Sequence, residues 1–305
     1  MSDIVLIPTF QRPEYLQLCL EHLLAAEGGK EKEVYISYDR HTNDTAPVLR
    51  DMDYSQQIAE SFKEKFAKMT FVARQPHPYV GNPCNFLETY KHAYFNSGAR
   101  YVYLVEDDVL VAKDFFKWHE AVQARGDYFI TVGWHCIRNK EVLPSQDPTA
   151  YIESTRDFSS IGICWKREKL LAMVKHANPN YYRAMRNYLA AAFVGSPINP
   201  GLWTEQAGVV TRLLHEAKNR WVAWPALSRV AHVGISGYHR PGGHRFDGSL
   251  AERIAGLRAA VTDTKILNSL SKDPFDDVGA LSHIPEWNVG DLHVTQRFEY
   301  EHGKI

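Results

Sequence analysis

The chain has 305 residues, 45% of them hydrophobic and 23% charged, with a formal net charge of −1. That is enough apolar material for one large α/β domain or two modest ones. The near-neutral balance gives no general attraction to duplex nucleic acid and leaves a local basic patch as the only route to it.

The opening MSDIVLIPTFQRPEY carries no basic leader and no small-residue cleavage site, and it reads as a strand instead of a signal peptide. Apolar runs long enough to cross a membrane are absent from the sequence. Cys19, Cys84, Cys136 and Cys164 are scattered without a C-x-x-C spacing, so reduced thiols in a cytoplasmic protein are expected.

In chain order, Ile4 to Pro8 is a continuous apolar run of the kind found in buried parallel strands. TFQRPEY then turns into a helix, marked by Tyr15, Leu16, Cys19, Leu20 and Leu23 at helical spacing and stopped by Gly28 and Gly29. Val34 to Tyr38 is a second strand ending in Asp39. After a polar loop and helical stretches, Thr70 to Ala73 is a third, and PHPYVGNP is a loop. A helix from about Pro83 to Ser97 leads to a fourth strand, Tyr101 to Val105, which delivers Glu106, Asp107 and Asp108. Tyr128 to Gly133 and Trp221 to Ala226 read as further strands. DFSSIGICWKREKLLAMV reads as a strand and then a helix starting near Lys166.

Alternating strands and helices predict an open, mostly parallel sheet, in which ligands bind outside the carboxyl ends of the strands. Asp39 and the acid triplet both lie at such ends. Three adjacent carboxylates repel one another, and Mg²⁺ or Mn²⁺ would offset that by taking one or two of them together with substrate phosphates. A solvated acidic turn is the plainer alternative.

The pattern of an apolar strand, EDD and a further apolar triplet, together with IVLIPTFQRPEYLQLCLEHL, resembles the nucleotide-sugar glycosyltransferases of the GT-A fold, with a family-2-like N-terminal half and an EDD form of the D-x-D motif. The resemblance runs in order over roughly residues 3 to 240, closely at the start and at the triplet and more loosely afterwards. It implies a Rossmann-like, mostly parallel α/β sheet flanked by helices, with a smaller acceptor-side region. Residues 1–125 would bind the nucleotide sugar, 126–248 the acceptor, and 249–305 would pack on the domain as an extension.

By the same resemblance Pro8, Thr9 and Arg12 contact the nucleotide, Asp39 reads its base, Asp108 holds the metal, and Glu106 or Asp107 faces the ribose or metal-bound water. Asn82 and Asn85 are further candidates for the base or ribose. The residue chemistry leaves other roles open: an ion pair with Glu14 for Arg12, a turn or helix cap for Asp39, and helix capping for the asparagines. GICWKREKL is similar to the family's acceptor-side strand and turn. Downstream of it, Glu205 in NPGLWTEQAGVVTRLL is the candidate base of an inverting displacement, with helix initiation as its alternative.

SRVAHVGISGYHRPGGHRFDG gathers Arg229, His232, His239, Arg240, His244 and Arg245 among glycines. Arginine neutralises diphosphate and histidine ligates metal. The family often completes its metal shell from such a segment, so His232 and His239 are both candidates. His239 is preferred for its glycine-rich surroundings, and Arg240 and Arg245 would meet the diphosphate. The expected cofactor is Mn²⁺ or Mg²⁺ and the expected donor a UDP-sugar. The acceptor stays open among glycan, lipid-linked sugar, protein, small molecule and nucleic-acid base. Arg183 and Arg186 among Tyr181, Tyr182 and Tyr188 give a weak hint of nucleic acid, and packing is the better explanation of them. A nucleotidyltransferase is the rival enzyme, weakened by the lack of glycine in PTFQRPEY. A nucleotide-sugar-binding module without chemistry is the non-enzymatic alternative.

Overall fold

The structure, a computed structural model, describes residues 2–75, 82–135, 145–155, 158–196, 198, 206–216, 220–235, 246–263, 265 and 278–298. Strand β1 (Ile4–Thr9) is buried at every position, as its unbroken apolar run requires. Its side chains alternate between two cores. Ile4 and Leu6 pack on one face with Phe86, Leu87 and Leu213, while Val5 and Ile7 pack on the other with Leu16, Leu20 and Phe62. Helices must therefore cover both faces of the sheet.

Helix α1 (Pro13–Ala25) starts on a proline at its first turn, where the missing N–H costs nothing. Strand β2 (Glu33–Tyr38), helix α2 (Ala46–Phe62), strand β3 (Lys68–Ala73), helix α3 (Asn82–Asn96) and strand β4 (Tyr101–Leu104) follow, close to the expected positions. The triplet occupies a turn, closed by Val109 N–H donating to Glu106 O at 3.0 Å. Beyond it lie β5 (Val109–Val111), α4 (Phe115–Arg125), β6 (Ile130–Val132), β7 (Ala150–Ser154) and β8 (Ile163–Lys166). A 3₁₀ turn separates β8 from α5 (Leu171–Val174), so the helix expected near Lys166 begins a turn later. Short helices α6 (Pro179–Arg183) and α7 (Met185–Ala192) precede α8 (Gln206–Glu216), and then come β9 (Val222–Pro225), β10 (Val230–His232), α9 (Leu250–Thr262) and β11 (His293–Phe298).

Among the described residues nine strands form one sheet in the order β11-β7-β9-β6-β8-β4-β1-β2-β3, and β10 pairs with β5 in a small second sheet. Parallel pairs outnumber antiparallel ones in the large sheet; β8 runs antiparallel to both β4 and β6, and β7 to β9. The chain leaves β1 for β2 on one side and returns to β4 on the other. The β1–β4 boundary is therefore the point where strand order reverses, the place at which open α/β sheets form a ligand crevice. Both the loop after β1 and the acid turn after β4 lie at that boundary.

The C-terminal residues do more than wrap the domain, because β11 adds a parallel edge strand to β7. Tyr181 is fully buried, with ring contacts to Tyr182 and Tyr188, so this aromatic stretch is packing. Cys19, Cys84 and Cys164 are buried free thiols, and Cys136 lies outside the described residues. Among the described residues no helix is long and apolar enough to cross a membrane.

Candidate active site

The site is built from the β1 loop upward. Gln11 sits at φ 57°, a left-handed conformation that is strained for a side-chain-bearing residue. Its N–H donates to Tyr38 Oη at 3.2 Å, and Tyr38 Oη donates to Val48 O at 3.1 Å, so the bend is tied to β2 and α2. The bend leaves Arg12 at the N-cap of α1, from where its guanidinium reaches the acid turn.

Arg12 Nη1 donates to Asp108 Oδ2 at 2.5 Å, and Nη2 makes a short ion pair with Asp107 Oδ1. Thr9 Oγ1 donates to the other oxygen of Asp107 at 2.6 Å. Asp107 is 0% exposed and has both oxygens occupied, so it locks the β1 loop to the end of β4. Arg12 therefore does not pair with Glu14. That carboxylate is held by Arg253, 2.6 Å away.

Asp108 differs from its neighbour. Its Oδ2 faces Arg12 and, at 3.4 Å, His232 Nε2. Its Oδ1 is buried and has no hydrogen-bond partner among the described residues. Burial alone would raise this carboxyl, but Arg12 and His232 outweigh it and hold Asp108 well below the usual carboxylate range. Burial, and then the nearby charge of Asp108, push the Glu106 carboxyl up to about 8. Ser160 Oγ donates to Glu106 Oε1 at 3.3 Å.

His232 arrives through the small second sheet, where it pairs with Val109. Val233 N–H then donates to Asp108 O at 2.9 Å. A Cβ on Gly234 would overlap Asp108 Oδ2, so only glycine lets this backbone pass the carboxylate. Ile235 N–H donates to Tyr15 Oη at 3.2 Å, which anchors the segment to α1. Arg229 from the same sequence cluster is placed differently: it is fully buried, with Nε 2.9 Å from Asp114 Oδ2. It belongs to the core and not to the crevice.

Whether these residues suit a divalent cation is decided by donor chemistry. Asp108 offers an ionised, buried and unpartnered oxygen, and His232 offers a ring nitrogen beside it, so two ligands of the right kind converge. Among the described residues no group of three or more His, Cys, Asp or Glu is gathered tightly enough to enclose a metal. Two protein ligands completed by phosphate and water suit Mg²⁺ or Mn²⁺. His239, Arg240, His244, Arg245 and Glu205 lie outside the described residues.

The second part of the crevice lies at the ends of β2 and β3. Tyr38 pairs with Ala73, so Asp39 and Arg74 emerge side by side, with Arg74 Nη1 3.5 Å from Asp39 Oδ1. Asp39 is not the N-cap of α2, a position that Thr45 holds. Arg74 also donates to Cys84 Sγ at 3.2 Å and lines a cavity of about 320 Å³ together with Ser37, Glu88 and His92. Phe10 is 41% exposed beside Tyr38, with ring centroids 6.0 Å apart. Pro8 is buried within β1, opposite Ser37. Asn85 is buried too. Its Oδ1 accepts from Ser37 Oγ at 2.5 Å and its Nδ2 donates to Ser37 O at 3.0 Å, so the amide steadies β2 and is not turned toward a ligand. The side chain of Asn82 lies outside the description. Arg74, Tyr15, Ser160 and Gly234 were not singled out from sequence. For Arg74 the signal was available, as a basic residue one step beyond a strand that lies next to the strand ending in Asp39.

No protein-family model and no curated protein sequence matches this chain. Among solved structures it is similar to S. aureus TarS 1-349, with TM-score 0.46 and 16% identity over 75% of this chain and 60% of that one. The same TarS 1-349 in complex with UDP-GlcNAc gives a TM-score of 0.49 and 15% identity, over 88% and 71% of the two chains. The galactosyltransferase LgtC in complex with donor and acceptor sugar analogs gives 0.47 and 9%, over 89% and 97%. Likenesses of this size assign neither an activity nor residue roles to this chain.

Proposed function

We propose that this chain is a glycosyltransferase that moves a sugar from a nucleotide-diphosphate sugar to a hydroxyl acceptor, with a divalent cation bound and by direct, inverting displacement. One observation carries the reading. At the strand-order reversal, a buried and ionised Asp108 presents an unpartnered oxygen beside His232, next to a loop that ends in Arg12. The motif resemblance of PTFQRPEY and EDD points the same way.

In this reading the nucleobase enters the cleft at Asp39 and Arg74. A carboxylate that accepts from a ring N–H, beside a guanidinium that donates to a ring carbonyl, complements the imide edge of uracil. Phe10 offers an aromatic face for the ring. Asp108 and His232 would hold the cation, with His239 the candidate for a further ligand, and the cation would supply positive charge to the leaving diphosphate. Arg12, Arg240 and Arg245 add donors to the same oxygens. Asp107 and Thr9 keep the β1 loop in register with the acid turn. The acceptor oxygen bonds to the anomeric carbon while the bond from that carbon to the diphosphate oxygen breaks, and Glu205 takes the acceptor's proton.

A thermal-shift screen of nucleotide sugars with and without Mn²⁺ tests the proposal, because a ligand that binds only the folded state raises the melting temperature. UDP-sugars are expected to raise it with Mn²⁺ present and GDP- or CMP-sugars to do so much less. A screen in which no nucleotide or nucleotide sugar moves the transition would overturn the reading.

A further inference from the structure

We infer that Arg12 is an exchangeable counter-ion, which holds the divalent cation off Asp108 until an anionic ligand draws its guanidinium away. The inference rests on the nucleotide-sugar reading for the identity of that ligand, while its central claim concerns Arg12 and the cation alone.

The two carboxylates that Arg12 bridges are in unequal states. Asp107 accepts the Thr9 hydroxyl on its other oxygen, a contact in which the guanidinium takes no part. Asp108 shares Oδ2 between Arg12 and His232 and leaves Oδ1 unpartnered. A divalent ion arriving at Asp108 meets a guanidinium 2.5 Å from the same carboxylate. Two cations so close repel strongly in a poorly hydrated site. As placed, Arg12 and a metal therefore compete for Asp108.

Arg12 is also built to leave. Its side chain is 19% exposed, whereas the core residue Arg229 is fully enclosed. It projects from a strained bend at Gln11 and precedes α1 without a side-chain cap of its own. Its guanidinium lies 5.4 Å from the centroid of Tyr15, a ring anchored by Ile235 that gives the cation a surface to slide along. A diphosphate in the crevice offers the guanidinium fork a bidentate partner at least as good as two carboxylates. Moving the fork to phosphate clears Asp108 Oδ2 at the moment the phosphate can share the metal. Cation and nucleotide then bind cooperatively, and neither needs a change of fold.

The test is a titration of donor-free protein with Mn²⁺, followed by the electron paramagnetic resonance signal of the free ion. Arg12→Met is expected to bind Mn²⁺ at least about tenfold more tightly than wild type, a gain of about 1.4 kcal/mol. Arg12→Lys keeps one positive charge but cannot bridge two carboxylates, so it should fall between them; it also serves if the methionine variant does not fold. Asp108→Asn should show no such site. Addition of UDP should bring wild type close to Arg12→Met. Folded Arg12 variants that bind Mn²⁺ no more tightly than wild type would overturn the inference. If they bind it more tightly but UDP leaves wild type unchanged, Arg12 is confirmed as the occupant and the nucleotide reading is the part that fails.

Discussion

Two arginines in this molecule each bridge two carboxylates, and the clusters they form behave in opposite ways. Arg253 of α9 donates to Asp51 Oδ1 at 2.7 Å and to Glu14 Oε2 at 2.6 Å, tying the C-terminal helix to α1 and α2. Arg12 ties the β1 loop to the acid turn in the same one-to-two ratio. The difference lies in what is left over. Around Arg253 the unpartnered atom is a donor, its own Nε, enclosed between helices. Around Arg12 it is an acceptor, Asp108 Oδ1, buried at the end of β4 with a third acid alongside. A leftover donor in a closed helix interface costs stability and offers a cation nothing to bind. A leftover carboxylate oxygen at a strand end calls for a cation. Burial of charge is common to both clusters and identifies neither as functional; the sign of what remains unsatisfied tells them apart.

That contrast can be broken by experiment. The largest effect is expected from Arg253→Met, which strands two buried carboxylates and should cost about 3–5 kcal/mol of stability in urea unfolding. Turnover per folded molecule should not change, and a loss below about 1 kcal/mol would mean that the cluster is solvated. Next, Asp108→Asn should lower sugar transfer or donor hydrolysis by about a hundredfold or more, the scale of removing a group that organises transition-state charge. Its unfolding midpoint at neutral pH should fall, because Arg12 and His232 hold Asp108 below its ordinary range and so make its charge stabilising. A variant that keeps full turnover would remove Asp108 from the chemistry.

The smallest effect sharpens the comparison through pH. Glu106, half-buried at the acid turn, moves from an ordinary 4.5 to about 8 in the folded state, chiefly because surrounding protein strips water from its carboxyl. The folded protein therefore keeps a proton that the unfolded chain has lost, and stability falls as pH rises through that window. Without metal or nucleotide, Glu106→Gln should melt with wild type below pH 4.5 and a few degrees, about 2–5 °C, above it at pH 8. A gap of the opposite sign would mean that Arg12 and His232 hold Glu106 ionised.

The N-terminal half of the fold was legible because its strands are uninterrupted apolar runs and each ends in a chemically distinctive residue. Ile4–Thr9 and Tyr101–Leu104 announce burial on both faces, and an acid following such a run must lie at an edge. The partner of Arg12 was not legible. Glu14 is two residues away along the chain and Asp108 is ninety-six away, and only the parallel pairing of β1 with β4 decides between them. The three-residue strands β5 and β10 leave no periodic trace, so their pairing was invisible in sequence. That pairing brings His232 to Asp108 and turns Arg229 into the core. Arg229 shares a sequence cluster with the candidate diphosphate ligands Arg240 and Arg245, and only the position of Asp114 assigns it to the core. Arg74 escaped notice for a related reason, since its importance comes from sheet order and not from its neighbours in sequence.

The last strand has a consequence for how the protein is made. β11 pairs in parallel with β7, matching His293 with Ala150, so β7 is covered only when a segment more than a hundred residues downstream arrives. Until then β7 presents unpaired backbone groups of the kind that template aggregation. Such long-range parallel pairing is also slow to form. Synthesis conditions that favour early release of the chain therefore bear on the yield of this protein more than on its activity once folded.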